Sequence, residues 1–350
     1  WWSRKNTVIQ ILVRYCTLFV LTLLVLAIIS FSLAYLFPGD TLENLTGLVP
    51  ENDIQRAALE RQFKLDQSYI FQFFYYVGNL LTGDWGYSFT SGLPLREEVG
   101  IAMPATIELA TYAMLMALFV GVPLGYYAGI RCYSTSDHLI NSVSITTYSF
   151  PVFWFALLLI LIFSLQLDAA PMSGRISLLY DIEPVTGFIL IDILLSDIEN
   201  KSLAFKDALS HIALPTFSIG AIATASMIRV TRRSVIDVKH RPYIAAALSR
   251  GLSSWQIFFR HILRNALLPI LPLMAIQITT LITNAMIVET LFSWPGIGNW
   301  LIQAIYQRDY PALRIGMMAV SSVVITLTIL IDLFNRMIDP SREKYERATV

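Results

Sequence analysis

The sequence predicts an all-α, polytopic membrane protein with six transmembrane helices. Three observations carry this: an apolar composition, six long apolar runs, and an alternating charge bias in the segments between them. Of 350 residues, 55% are hydrophobic and 14% are charged, against roughly 25% charged in an average soluble domain, and the mean hydropathy is +0.60. Lysine plus arginine balances aspartate plus glutamate, for a formal net charge of zero. A nucleic-acid partner would call for an overall basic field, so none is expected.

A hydrocarbon core about 30 Å thick needs about 20 apolar helical residues. Six stretches qualify, near residues 15–37, 101–130, 139–167, 212–234, 266–292 and 312–337. The first is followed by Phe37-Pro38-Gly39-Asp40 without a small-residue cleavage site, so it reads as a span and not as a cleaved leader. Phe188–Leu195 is too short to cross and is interrupted by Asp192, which places it on the surface of a loop.

Orientation follows from lysine and arginine, which are retained on the cytoplasmic side. Arg4, Lys5 and Arg14 precede the first span, and residues 229–264 carry Arg229, Arg232, Arg233, Lys239, Arg241, Arg250, Arg260 and Arg264 against a single acid, Asp237. Residues 38–100 hold nine acids and four bases, and residues 168–211 seven acids and three bases. The expected layout is therefore a cytoplasmic N-terminus with the first span over 1–37, a periplasmic loop over 38–100, and a core of five spans over 101–337. That core contains a periplasmic loop at 168–211 and a cytoplasmic loop at 235–264, and residues 338–350 form a cytoplasmic tail. Within the first periplasmic loop, Ile54, Ala57, Ala58 and Leu59 against Gln55, Arg56, Glu60 and Arg61 predict a short amphipathic helix over 52–63.

The cytoplasmic loop is the most informative stretch. Pro242 suits the first turn of a helix, Ala245-Ala246-Ala247 its interior, and Gly251 a left-handed end. Ser253 with Gln256 three residues on is a capping box for a second helix. The loop thus reads helix, glycine turn, helix, with Ile244, Leu248, Trp255, Phe258 and Phe259 available to pack and small alanines that let another backbone approach. From charge alone, a loop that only fixes topology at lipid headgroups explains it equally well.

Glutamates inside spans are costly and mark functional suspects. Glu108 and Glu289 both fall in the outer half of their spans, where two carboxylates would favour a cationic substrate; helix-end or interhelical hydrogen bonding is the competing explanation. Arg229 lies near the inner end of the fourth span. Ser149, Phe150 and Pro151 join Glu108 and Glu289 as candidate substrate-pathway residues, at a point in the third span where a proline frees backbone groups that other helices or a cavity must satisfy. No GxxxxGK[ST] loop occurs, nor any Gly-Lys pair, and the four histidines lack metal-ligand spacing. The chain therefore has no site of its own for ATP phosphates or a metal, and its spans hold no nucleophile and base set for an intramembrane enzyme. Cys16 and Cys132 are expected to be separate free thiols.

The loop resembles the "EAA" loop by which ABC importer permeases dock on their ATPases, with Ala245 where the original consensus has glutamate. Tyr243, Ala245, Ala246, Ala247, Gly251 and Leu252 are the residues that the resemblance assigns to coupling. Nearly the whole chain resembles the B-type permeases of peptide ABC transporters. The resemblance runs through Pro38-Gly39-Asp40, Gly83-Asp84-Trp85-Gly86-Tyr87-Ser88, Met103 to Leu109, Gly121-Val122-Pro123-Leu124-Gly125, Ser149 to Trp154 and Phe292 to Gly298. Pro171-Met172-Ser173-Gly174-Arg175 and Pro184 to Phe188 look most like the Sap branch, named for sensitivity to antimicrobial peptides and linked also to putrescine export. The resemblance implies a type I importer-like fold in a bacterial inner membrane, with both termini cytoplasmic. It implies a homologous second permease, two cytoplasmic ATPases that bind the ATP, a periplasmic solute-binding protein, and peptides or a polyamine-like cation as cargo. A self-sufficient secondary transporter or channel, which would need no ATPase dock, is the rival reading.

Overall fold

The computed structural model describes residues 2–338, with the side chains of 13–253 and 255–337. Among the described residues the chain is helical, with one isolated antiparallel bridge, Tyr87 to Pro94, in place of any strand. The first span is α1 (Trp2–Leu36). The segment that follows carries α2 (Thr41–Thr46), α3 (Asp53–Gln62) and α4 (Tyr69–Thr82). The expected amphipathic helix is α3, and Asn52 caps it by accepting from the Gln55 N–H at 2.8 Å. The second span is α5 (Leu95–Met116), a loose π-type turn at Ala117–Gly121, and α6 (Val122–Ile130).

The expected third span is a sharply bent pair of helices instead of one straight helix. Helix α7 (Thr135–Ser149) and α8 (Val152–Leu159, continued by a second π-type stretch to Gln166) meet at an angle of 102°. Pro151, at φ −62° and ψ 139°, starts α8 in an extended conformation. Next come α9 (Ile189–Leu195) and α10 (Lys201–Lys239), the latter 39 residues long. The cytoplasmic-loop candidate contains α11 (Pro242–Ser249), α12 (Ser254–Ile257), a third π-type stretch at Phe258–Leu263 and α13 (Arg264–Leu267). The chain closes with α14 (Ile270–Leu291), α15 (Ile297–Gln307) and α16 (Tyr310–Ile338). Among the described residues five helices are long and apolar enough to cross a membrane, six when the bent pair counts as one span.

The chain divides into two compact units, residues up to 104 with 295–326, and residues 105–294 with those from 327 on. In the first, fully buried Arg314 on α16 donates to the carbonyl of Leu45 at 2.9 Å and lies 5.3 Å from the centre of the Tyr76 ring. Asp309 caps α16 through the Ala312 N–H at 3.0 Å and accepts from the Ser88 hydroxyl at 2.5 Å.

In the second unit α10 is the central post, packed by α6, α7, α8, α9 and α14. Gly121, Gly125 and Gly129, one per turn along the second span, face it so closely that side chains cannot fit. A Cβ at Gly125 would lie 2.6 Å from Thr231 Cβ and 2.7 Å from the Ile228 carbonyl oxygen. Small residues at such spacing let helices associate by direct backbone contact, which apolar burial alone does not drive within lipid. Gly125→Ala is expected to lower the thermal unfolding midpoint in detergent, at an overpacking cost of about 1–3 kcal/mol. Gly100→Ala, where a Cβ would meet nothing within 4 Å, should be neutral or stabilising; equal effects at the two sites would refute the close contact.

The run from Phe188 departs from expectation. It forms α9, a short helix with one side buried, Ile189, Asp192 and Ile193, and the other exposed, Ile191, Leu194 and Leu195. Asp192 accepts from the Thr186 N–H at 2.7 Å, the Thr186 hydroxyl at 2.6 Å and the Gly187 N–H at 3.0 Å, so the charge that argued against burial is fully used in folding the preceding turn.

Candidate functional site

The loop after α10 has the geometry that its sequence predicts. Arg241 is extended, Pro242 opens α11, and Gly251 takes φ +77°. The Ser253 N–H donates to Gln256 Oε1 at 3.0 Å and the Gln256 N–H to Ser253 Oγ at 3.3 Å, a reciprocal capping box. Ile244 and Ala247 point inward and join a cluster with Tyr126, Val235, Ile257 and Ile262, against which Leu252 and Phe258 also pack. The Tyr126 hydroxyl donates to the Leu263 carbonyl and ties the cluster to α6.

The three alanines therefore do not form one face. Ala245 and Ala246 are exposed while Ala247 is core, because successive helical residues are turned by about 100°. Ile244, one of the apolar residues available to pack, does so within the chain's own core. What remains outward is an apolar surface: Leu248 is 57% exposed, Trp255 71% and Phe259 50%. Tyr243 is exposed on its rim, where its hydroxyl accepts from Asn265 Nδ2 at 3.2 Å.

The two glutamates are both fully buried. Glu108 accepts from Arg175 Nε at 3.0 Å, from a second N–H of the same guanidinium, and from the Tyr112 hydroxyl at 2.9 Å. Arg175 also donates to the Gly187 carbonyl and sits 5.5 Å from the centre of the Trp294 ring. Glu289 accepts from the Thr106 hydroxyl at 2.6 Å, which joins α14 to α5. Glu108 is thus paired with a cation of its own chain, and neither of the two candidate carboxylates presents accessible surface.

Arg175 was not a sequence candidate. The usable signal was a buried-span glutamate in need of a cation, next to an acidic loop in which Arg175 is the one base between 168 and 200. A second ion pair also escaped the sequence reading. Arg232 on α10 grips Asp137 at the start of α7 through two hydrogen bonds, 2.5 and 2.7 Å long.

Ser149, Phe150 and Pro151 occupy the break in the third span. Ser149 and Pro151 are exposed, the Ser149 hydroxyl donates back to the Ile145 carbonyl at 2.8 Å, and Phe150 stacks on Trp154 with ring centres 4.7 Å apart. Just before the break, the Tyr148 ring carries the Arg229 guanidinium on its face, 4.0 Å from the ring centre.

Five or six apolar helices long enough to cross a membrane, with a pair bent at Pro151 and a structured helix-turn-helix loop, fit the membrane-embedded subunit of a transport system. The chain belongs to the family of inner membrane components of binding-protein-dependent transport systems, whose family model matches residues 121–344. It is 39% identical over 339 residues to the di/tripeptide transport system permease protein DppB of Pseudomonas aeruginosa, covering 97% of this chain and all of that protein. It is also 39% identical to the putrescine export system permease protein SapB of Escherichia coli K12, over 95% of this chain and 96% of that protein. The dipeptide transport system permease protein DppB of the same strain is 34% identical over 95% of this chain and 98% of its own length.

Proposed function

We propose that this chain is the permease subunit of a peptide ABC transporter. In this reading it forms half of a pathway with a homologous second permease and couples to two ATPases through Tyr243, Ala245, Ala246, Gly251 and Leu252. A solute-binding protein delivers the cargo from the periplasm. The observation that carries the coupling role is the outward surface of α11 and α12, built on an inward anchor of Ile244 and Ala247. A loop serving only as a topological anchor has no need of a capped second helix or of Trp255 held 71% exposed. Full-length similarity to DppB proteins supports peptide cargo. Cationic peptides and polyamines, suggested by the SapB name, draw no support from Glu108, whose charge is already matched by Arg175. Affinity purification of the tagged chain from native membranes should bring down two ATPases with phosphate-binding loops and a second permease. Recovery of an active transporter free of any ATPase would favour a secondary transporter instead.

The same reading places 38–100 in the periplasm, 235–264 in the cytoplasm, and both termini inside. In a background with Cys16 and Cys132 replaced, Ser68→Cys and Ser249→Cys should react with an impermeant thiol reagent from opposite sides of the membrane. Both positions lie outside the spans and are exposed. Same-side labelling would overturn the orientation.

A further inference from the structure

Among the described residues of the second unit, two ion pairs engage buried carboxylates, and Arg229 on α10 belongs to neither. Arg175 and Glu108 neutralise each other, and so do Arg232 and Asp137. Arg229 is half-buried on α10, one turn outward of Arg232, and has no carboxylate within 4 Å among the described residues. Its Nε is buried and without an acceptor, and no other hydrogen bond from its guanidinium to a described residue is present. Its one strong contact is the face of the Tyr148 ring. Stacking of this kind holds the plane of a guanidinium and leaves its in-plane N–H donors unused. That fork has the geometry for a carboxylate, which it can engage through two parallel hydrogen bonds. An uncompensated cation on a span is costly unless it faces a water-filled path or a counter-ion. Here it stands beside the exposed break at Ser149–Pro151, the kind of interruption that membrane proteins tolerate where backbone lines a cavity.

We propose that Arg229, oriented by Tyr148, binds the carboxylate of the cargo as it passes the break in the third span, which selects peptides with a free C-terminus. This rests on the peptide-permease reading. It assigns the pathway a preference opposite to the cation preference that two unpaired glutamates would have given.

The test uses the assembled transporter in proteoliposomes, with uptake of a neutral dipeptide and of the same dipeptide as its C-terminal amide. Failure of the wild type to move either compound would count against the peptide reading, not against Arg229 alone. Given wild-type uptake that favours the free acid, Arg229→Gln should weaken half-saturation for the acid by about 10- to 100-fold, the range of a charge-assisted hydrogen bond, and leave the amide within about twofold. Arg229→Lys should recover part of the difference, because it restores charge without the fork. Tyr148→Leu should move the acid in the same direction by less. Equal loss for acid and amide in Arg229→Gln would overturn the proposal. So would loss of the second permease from that variant, which would make Arg229 an assembly contact. Acid selectivity unchanged in Arg229→Gln, with full assembly, would leave it a headgroup anchor and equally overturn it.

Discussion

Ala246→Trp is expected to leave membrane insertion intact and to reduce recovery of the ATPase subunits with the tagged chain by at least about tenfold. Ala246 is exposed on α11, between the outward-facing Ala245 and the inward-facing Ala247. An indole there meets no part of its own chain's core but protrudes into whatever sits on the loop, where overpacking costs about 1–3 kcal/mol. Ala247→Trp serves as the contrast, because Ala247 is buried with Ile244 and its replacement should lower the stability of the chain itself. Gly251→Val separates conformation from contact. A Cβ at Gly251 would meet nothing within 4 Å, yet φ is +77°, so the penalty of about 1–2 kcal/mol is conformational. It should appear as a displaced α12 and weakened coupling of ATP hydrolysis to cargo. Wild-type ATPase recovery and wild-type cargo-stimulated hydrolysis in both Ala246→Trp and Gly251→Val would remove the coupling role from the loop.

Arg175→Ala should be the most destabilising single change outside the hydrophobic packing of the second unit. It strands Glu108, fully buried, without its cation, and it also removes the donor to the Gly187 carbonyl. Removing one partner of a buried pair costs about 3–5 kcal/mol, much of it from the charge left behind. Replacing both partners by uncharged residues of similar shape should recover a large part of that loss. Thermal unfolding in detergent of Arg175→Ala, Glu108→Gln and the double variant Glu108→Gln/Arg175→Met completes the cycle. If the double variant is as unstable as the sum of the singles, the two side chains are not coupled and the ion pair has no structural weight. Arg175 belongs to the loop between α8 and α9, so this pair holds that loop down onto a helix long and apolar enough to span.

Much of this architecture is readable from the residues because its rules are local. Span length follows from apolar runs, the Asn52 cap and the Ser253 and Gln256 box from side chains three residues apart, and the Gly251 turn from the absence of a Cβ. The break at Pro151 was visible as a proline, although its 102° magnitude was not, since a missing N–H permits a bend without setting its angle. The partners were the hidden part. Glu108 and Arg175 are 67 residues apart, Asp137 and Arg232 are 95 apart, and no periodicity connects positions that meet only after the spans have packed. Asp192 shows the same limit from the other side: its charge argued for exposure, whereas three donors from Thr186 and Gly187 bury it. The helices α2, α4 and α15 went unread because runs this short do not reach span length. Of them, α15, with Ile297, Leu301 and Ala304 on one buried side, carried a helical period that could have been found.

The glycine contacts between α6 and α10 also have a mechanical meaning. Backbones in direct contact over Gly121, Gly125 and Gly129 cannot slide past each other by a fraction of a turn without collision, so the two helices move as one bar. At 39 residues that bar is about 58 Å long at the usual helical rise, and only His240 and Arg241 separate its inner end from α11. A tilt of about 5° pivoting at that end would carry the outer end through about 5 Å over such a length. A small rotation imposed on α10 from the loop would thus appear at its far end as lever motion, with almost no slack to absorb it.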